Sequence, residues 1–401
     1  MGKMQGVSMD LDFTNLKKFM DDMAEHHTPG NAVEVYLNGK SVFRYAKGYA
    51  DVKRKVPMQG DELLYIYSCS KVVTAVAGMQ LLEQGKILLS DPLYDYIPEF
   101  KDMYVRQPDG TLTKAVNPVS VWNLFTMTAG FPYDLNSPGF QKARKLTHGD
   151  MDTVKTIKCV ASDPLVFEPG EHWQYSICHD VLAALISVVS GLKFRDYVQK
   201  FIFEPLDMVD SGYHLNEKTR KKMAVQYRFV PCGGAISDSV EAQESGNARE
   251  GVFQDAGEDN EFILGEDYDS GGAGIISTVP DYAKLTAALA NYGTGLTGER
   301  ILSRHAVDLM RTDQLTRKQK EGHMWSHLAG CGYGLGVRTH VNQAESGVMS
   351  SLGEFGWGGA AGSTVIVDPS INLGVFYAQH TLNPREAYYQ PRLRNVVYSC
   401  L

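Results

Sequence analysis

The chain has 401 residues, 43% of them hydrophobic and 21% charged, with 39 glycines, 16 prolines and 6 cysteines. That composition supports a sizeable buried core and argues against a disordered or disulfide-stapled chain. The formal charge of −8 belongs to one stretch, residues 233–269, where eleven acidic residues meet a single basic one, Arg249; the rest of the chain is close to neutral. No basic cluster marks a nucleic acid or an anionic membrane as a partner.

The first ten residues lack the apolar core of a secretory signal, and no apolar run approaches the ~20 residues that span a bilayer. The cysteines at 69, 159, 178, 232, 331 and 400 show no paired spacing. They read as free thiols of a reducing compartment, so the expectation is a cytoplasmic protein without a metal site.

In chain order, Val33–Leu37 and Ser41–Tyr45 flank Asn38-Gly39, a hairpin signal in which both turn residues tolerate positive φ. Leu63–Tyr67 reads as a strand, and Val72–Leu82 as a helix by its apolar spacing. Asp180–Val189 is a second helix, stopped by Gly191. Residues 233–269, rich in Gly, Ser and Asn, read as a long loop or partly mobile insert. Leu335–Thr339 is a further strand, and residues 363–367 and 373–378 form a second hairpin. Strands at both ends around a helical middle imply an α+β fold, an antiparallel sheet closed by the two chain ends. Its parts are expected at 9–60 with 271–401, and at 61–270 for the mostly helical portion.

Ser68-Cys69-Ser70-Lys71 is an S-x-x-K sequence at the start of the first helix. Residues three apart share a helix face, so the Lys71 amine can sit beside the Ser68 hydroxyl and activate it. The plainer reading of Ser68 is a helix N-cap. A second S-x-x-K, Ser190–Lys193, straddles a helix end and cannot present both side chains together. No G-x-S-x-G elbow occurs, which weighs against an α/β-hydrolase, and the histidines show no metal-ligand spacing.

Further segments align in order with one family: Gly48–Asp51, Ser68 with Lys71, Leu81–Lys86, Thr126–Phe131, Pro169–Ser176 and Ser270–Thr278. Through them the chain resembles the serine β-lactamase-like superfamily, in the branch of class C β-lactamases, DD-peptidases and family VIII carboxylesterases. The resemblance implies a β-lactamase/transpeptidase-like fold and acyl transfer through Ser68, with Lys71 and Tyr175 as catalytic partners. A protonated Lys71 would favour the Tyr175 phenolate as base; alternatively, neutral Lys71 is the base itself. Backbone N–H groups of Ser68 and Ala360 would form the oxyanion hole, where one donor is commonly worth about 3 kcal/mol.

Two departures from the family pattern bear on substrate. Its Y-x-N is Tyr175-Ser176-Ile177 here, and its K-T-G is replaced by Trp357-Gly358-Gly359, the form of family VIII esterases. Ile177, Trp357, Gly358 and Gly359 are the expected pocket residues. Loss of the amide and of the lysine favours small neutral esters over β-lactams, D-amino-acid peptides or other amides. The alternatives are β-lactamase or peptidase activity, and acyl transfer to an alcohol. A non-catalytic module would be expected to lose Ser68, Lys71 or Tyr175, and all are present. No cofactor is implied. In relatives the part of the chain matching 233–269 lies near the cleft; the favoured reading of its acids is a solvated loop, and the sharper alternative is that they repel anionic substrates.

Overall fold

The structure, a computed structural model, describes residues 11–231, 251–322 and 325–401. Its centre is an antiparallel sheet with strands β1 (Gly30–Leu37), β2 (Lys40–Asp51), β3 (Val56–Pro57), β4 (Cys331–Tyr333), β5 (Arg338–His340), β6 (Phe355–Gly356), β7 (Thr364–Asp368) and β8 (Leu373–Gln379). They lie in the order β4-β5-β6-β7-β8-β1-β2-β3. The two ends of the chain meet at the β1–β8 pair, in register from Asn31 opposite Gln379 to Leu37 opposite Leu373. The first hairpin turns at Asn38 and Gly39, with φ of 51° and 72°, the left-handed pair that a type I′ turn requires.

Five helices position the site: α1 (Thr14–His26), α2 (Ser70–Glu83), α3 (Cys178–Ser190), α4 (Val279–Ala290) and α5 (Glu386–Tyr398). On one sheet face, Leu16, Met20 and Met23 of α1 and Leu393 and Val397 of α5 pack with Val33, Val35, Ile366 and Val375. Strand residues alternate faces, so this set accounts for one side only. The other side meets α4, where Tyr282 stacks on Phe376 with ring centroids 4.3 Å apart. Gly374 makes that approach feasible, because a Cβ there would stand 2.6 Å from a backbone carbon of Thr286. The Thr278 side chain caps α4 by accepting the Asp281 N–H.

Helix α2 is buried continuously from Ser70 to Leu81. A helix apolar on every side belongs in the interior, where it can anchor a reactive group rigidly. Helix α3 stops at Gly191, whose φ is 73°, so Ser190 and Lys193 do not share a helical face.

Two expectations need correcting. The strand expected at Leu335–Thr339 begins only at Arg338, because the chain turns at Gly336, where φ is 84°. Residues 232–250 of the acidic stretch lie outside the described residues, but its remainder is not a plain loop. Gly251–Gly257 is a strand paired antiparallel with Gln226–Pro231, which also takes Thr381–Leu382 in parallel. The end of the stretch is tied down by ion pairs of 2.7 Å, Lys193 to Asp267 and Arg195 to Asp269. Those acids are neutralised where they stand. Among the described residues, no helix is long and apolar enough to cross a membrane.

Candidate active site

Residues Tyr67–Cys69 form a single 3₁₀ turn that runs straight into α2. Tyr67 has φ of 44°, a region non-glycine residues rarely occupy. Its ring is buried and its hydroxyl donates to Gln226 Oε1 at 2.5 Å, which holds the turn in place. The turn leaves the Ser68 side chain half-buried at the head of the helix. No side-chain capping bond is made there, so Ser68 is not an N-cap.

Three sequence-predicted groups converge on one point. The Tyr175 and Ser68 hydroxyls share a hydrogen bond of 2.6 Å. Lys71 Nζ donates to Ser68 Oγ at 3.2 Å and to the Gly272 carbonyl at 2.8 Å. The ammonium also lies 4.5 Å from the centre of the Tyr175 ring. Lys71 is wholly buried, so its charge acts on these neighbours with little solvent screening. A hydroxyl flanked by a lysine and a phenol in this way has the arrangement from which an activated nucleophile can be made.

A second layer supports the lysine. Asp180, in the first turn of α3, is buried and accepts hydrogen bonds from Ser270 Oγ at 2.6 Å and Tyr268 at 3.2 Å. Burial raises its carboxyl, opposed by the Ser270 bond and the Lys71 charge. Gly272 separates Asp180 from Lys71; a Cβ there would lie 2.6 Å from Asp180 Oδ2 and 3.3 Å from Lys71 Nζ. His179, the adjacent residue, is also wholly buried. Burial and the Lys71 charge push its imidazole down to about 3, so it is neutral and no candidate for the base. Cys69 is equally inert, its thiol pushed up to about 12 by burial.

Ser68 and Tyr175 open on a cavity of about 130 Å³ that is also lined by Trp325, Trp357, Ala360 and Glu386. Trp357 Nε1 donates to the Tyr175 hydroxyl at 3.3 Å, and their rings stack with centroids 5.6 Å apart. Trp325 meets the Tyr175 ring edge-on at 5.3 Å. The Trp357–Ala360 segment is pressed against the Tyr67–Cys69 turn, since a Cβ at Gly359 would stand 2.3 Å from the Ile66 carbonyl oxygen. Gly359 itself is not a lining residue, whereas Gly358 is. Ile177, expected in the pocket, lies instead in the core at the N-terminus of α3, 1% exposed and absent from the cavity lining. It follows Tyr175 by two positions at the helix entry, and the entry turns it inward.

Sequence reasoning missed Asp180, Trp325, Glu386 and Gln390. Asp180 alone had a local signal, as an acid in the first turn of a helix just after the Tyr175 motif. Among the described residues no group of three or more His, Cys, Asp or Glu side chains is placed to hold a metal ion.

The geometry predicts that Tyr175→Phe slows phosphonylation of Ser68 by a fluorophosphonate about 10²–10⁴-fold, the usual worth of a positioned proton carrier. The half-buried ring and its stacking partners remain, so the thermal midpoint should hold. A labelling rate equal to wild type would remove Tyr175 from the proton path.

The family model described as Beta-lactamase matches residues 16–398. The chain belongs to the Beta-lactamase family. It is a hydrolase of the serine β-lactamase fold. Among curated relatives it is 28% identical over 393 residues to "Esterase EstB" of Burkholderia gladioli, covering 94% of this chain and 93% of that one. It is 29% identical over 341 residues to "Protein Rv1367c" of Mycobacterium tuberculosis (strain ATCC 25618 / H37Rv), covering 82% and 80%. Its fold matches the solved structure "EstCE1, a hydrolase with promiscuous acyltransferase activity", with a TM-score of 0.76 at 22% identity over 96% of this chain and 97% of that one.

Proposed function

We propose that this member of the Beta-lactamase family is a carboxylesterase that hydrolyses small neutral esters through an acyl-enzyme on Ser68. The observation that carries the reading is the Ser68–Lys71–Tyr175 triangle opening on a cavity walled by Trp357. Ser68 Oγ attacks the ester carbonyl while its proton passes to a Tyr175 phenolate, held by protonated Lys71, or to neutral Lys71. The same group returns that proton to the alkoxide, which leaves as the alcohol, and water repeats the sequence on the acyl-enzyme. The Ser68 and Ala360 N–H groups are assigned to the oxyanion; both residues line the cavity. The indole wall offers no counter-charge to a substrate carboxylate, which disfavours β-lactams and peptides with a free carboxyl end. Similarity to EstB, named as an esterase, supports the same choice.

Similarity to EstCE1, named as a hydrolase with promiscuous acyltransferase activity, suggests a second reading, transfer of the acyl group to an alcohol in place of water. A panel of short p-nitrophenyl esters, nitrocefin and a D-alanyl amide tests both, run with and without an added alcohol. Ester turnover well above the others is the expected result, and new ester product with the alcohol marks transfer. Nitrocefin or amide turnover exceeding every ester would overturn the esterase reading.

A further inference from the structure

The cavity beside Ser68 contains a carboxylate that the mechanism does not use. Glu386 sits in the first turn of α5 and lines the same space as Ser68 and Tyr175. Its Oε1 accepts a hydrogen bond from Gln390 Nε2 at 3.2 Å. Among the described residues, the basic side chain within ion-pair range is His327, at the outer limit of 3.9 Å. Arg338 also lines the cavity, but both of its terminal nitrogens are engaged by Glu354, at 2.9 and 2.7 Å. The cavity therefore holds one arginine whose charge is balanced by Glu354, and one carboxylate that accepts from a neutral amide and stands near His327. Burial pushes the Glu386 carboxyl up to about 7, as expected of an acid lacking a close counter-ion.

The remaining walls suit the same visitor. Trp325 and Trp357, with ring centroids 6.1 Å apart, line the cavity together with Tyr175. Aromatic faces attract an organic cation, and the attraction grows where water is excluded. An anionic substrate would meet the carboxylate, and the arginine in the lining is already paired with Glu354.

Building on the esterase reading, we propose that Glu386, with Trp325 and Trp357, makes this site select esters bearing an ammonium group in their acyl or alcohol portion. Glu386 is a specificity-determining residue; the acyl transfer itself stays with Ser68, Lys71 and Tyr175.

The test compares each cationic ester with an uncharged partner of the same shape, by pH-stat. The pairs are ethyl 3-aminopropanoate with ethyl butanoate, and 2-(dimethylamino)ethyl acetate with 3-methylbutyl acetate. In the wild type, kcat/KM for at least one cationic ester should exceed its partner by about tenfold, and Glu386→Gln should erase that ratio. A ratio near one in both pairs, or a ratio that survives in the glutamine variant, overturns the proposal. A second arm needs no turnover: n-butylammonium chloride is titrated against tryptophan fluorescence. Binding should weaken about fivefold or more in Glu386→Gln, and equal affinity would refute the cation site. If no ester is hydrolysed while the ammonium still binds through Glu386, the esterase reading fails and the cation site stands.

Discussion

Ser68→Ala is expected to lower hydrolysis of short esters by about 10⁴-fold or more, and Lys71→Met by a similar factor. Both residues serve one proton-transfer unit, so the double variant should be scarcely worse than either single one. Lys71 is the more informative of the two. Its ammonium touches Ser68 Oγ, the Gly272 carbonyl and the Tyr175 ring together. Methionine keeps the length and apolar stem, so the fold should survive and the loss should fall on kcat more than on KM. Single-turnover kinetics with a p-nitrophenyl ester read the acylation step directly. Additive losses in the double variant would show that Lys71 and Ser68 act on different steps.

Glu354→Leu should destabilise the protein by about 3–5 kcal/mol, because it strands a buried guanidinium without its partner. Glu354 is 0% exposed and Arg338 1%, and two parallel hydrogen bonds join them. Burial alone would pull the Arg338 guanidinium down, yet the charge and hydrogen bonds of Glu354 hold it above its ordinary range. Arg394, 2% exposed, stands close enough to feel both; burial and then the Arg338 charge lower it. Removing Glu354 would leave two buried arginines facing each other. The urea midpoint measures the loss, and Arg338→Met combined with Glu354→Leu should recover much of it. A second consequence concerns substrate. Arg338 lines the active cavity, so a released guanidinium there should raise turnover of carboxylate-bearing esters relative to neutral ones in any Glu354→Leu protein that still folds. No drop in the midpoint would mean that solvent reaches this pair.

The parts of the site that were legible in sequence are those written within a few residues of one another. Ser68 and Lys71 are three positions apart on a helix, so local periodicity places them side by side. The hairpin at Asn38-Gly39 was readable because two residues tolerant of positive φ stood between alternating strands. Tyr175 came from an ordered motif, and the same motif misplaced Ile177, whose direction depends on how the chain enters α3. Glu386 left no trace, since it reaches the cavity only because α5 is laid across the sheet far along the chain from Ser68. Trp325 came to the cavity in the same way. Gly336 hid the true start of β5, and the acids at 267 and 269 read as part of a solvated acidic loop because their partners at 193 and 195 lie far off in sequence.

The β1–β8 pair has a consequence for biosynthesis. Residues 30–37 pair early with β2 but find their second partner only when residues 373–379 have been made, roughly 340 residues later, or about 20–70 s at ordinary translation rates. Through that interval the first hairpin carries an unpaired edge, and α1 has no finished sheet to lie on. Long-range pairing of this kind is slow and exposes the nascent chain to misassociation. A polypeptide that stops short of β8 loses the neighbour of β1 along with Glu386 and the rest of α5. Premature termination therefore yields a chain that can neither close its sheet nor complete its pocket, and quality control rather than residual activity decides its fate.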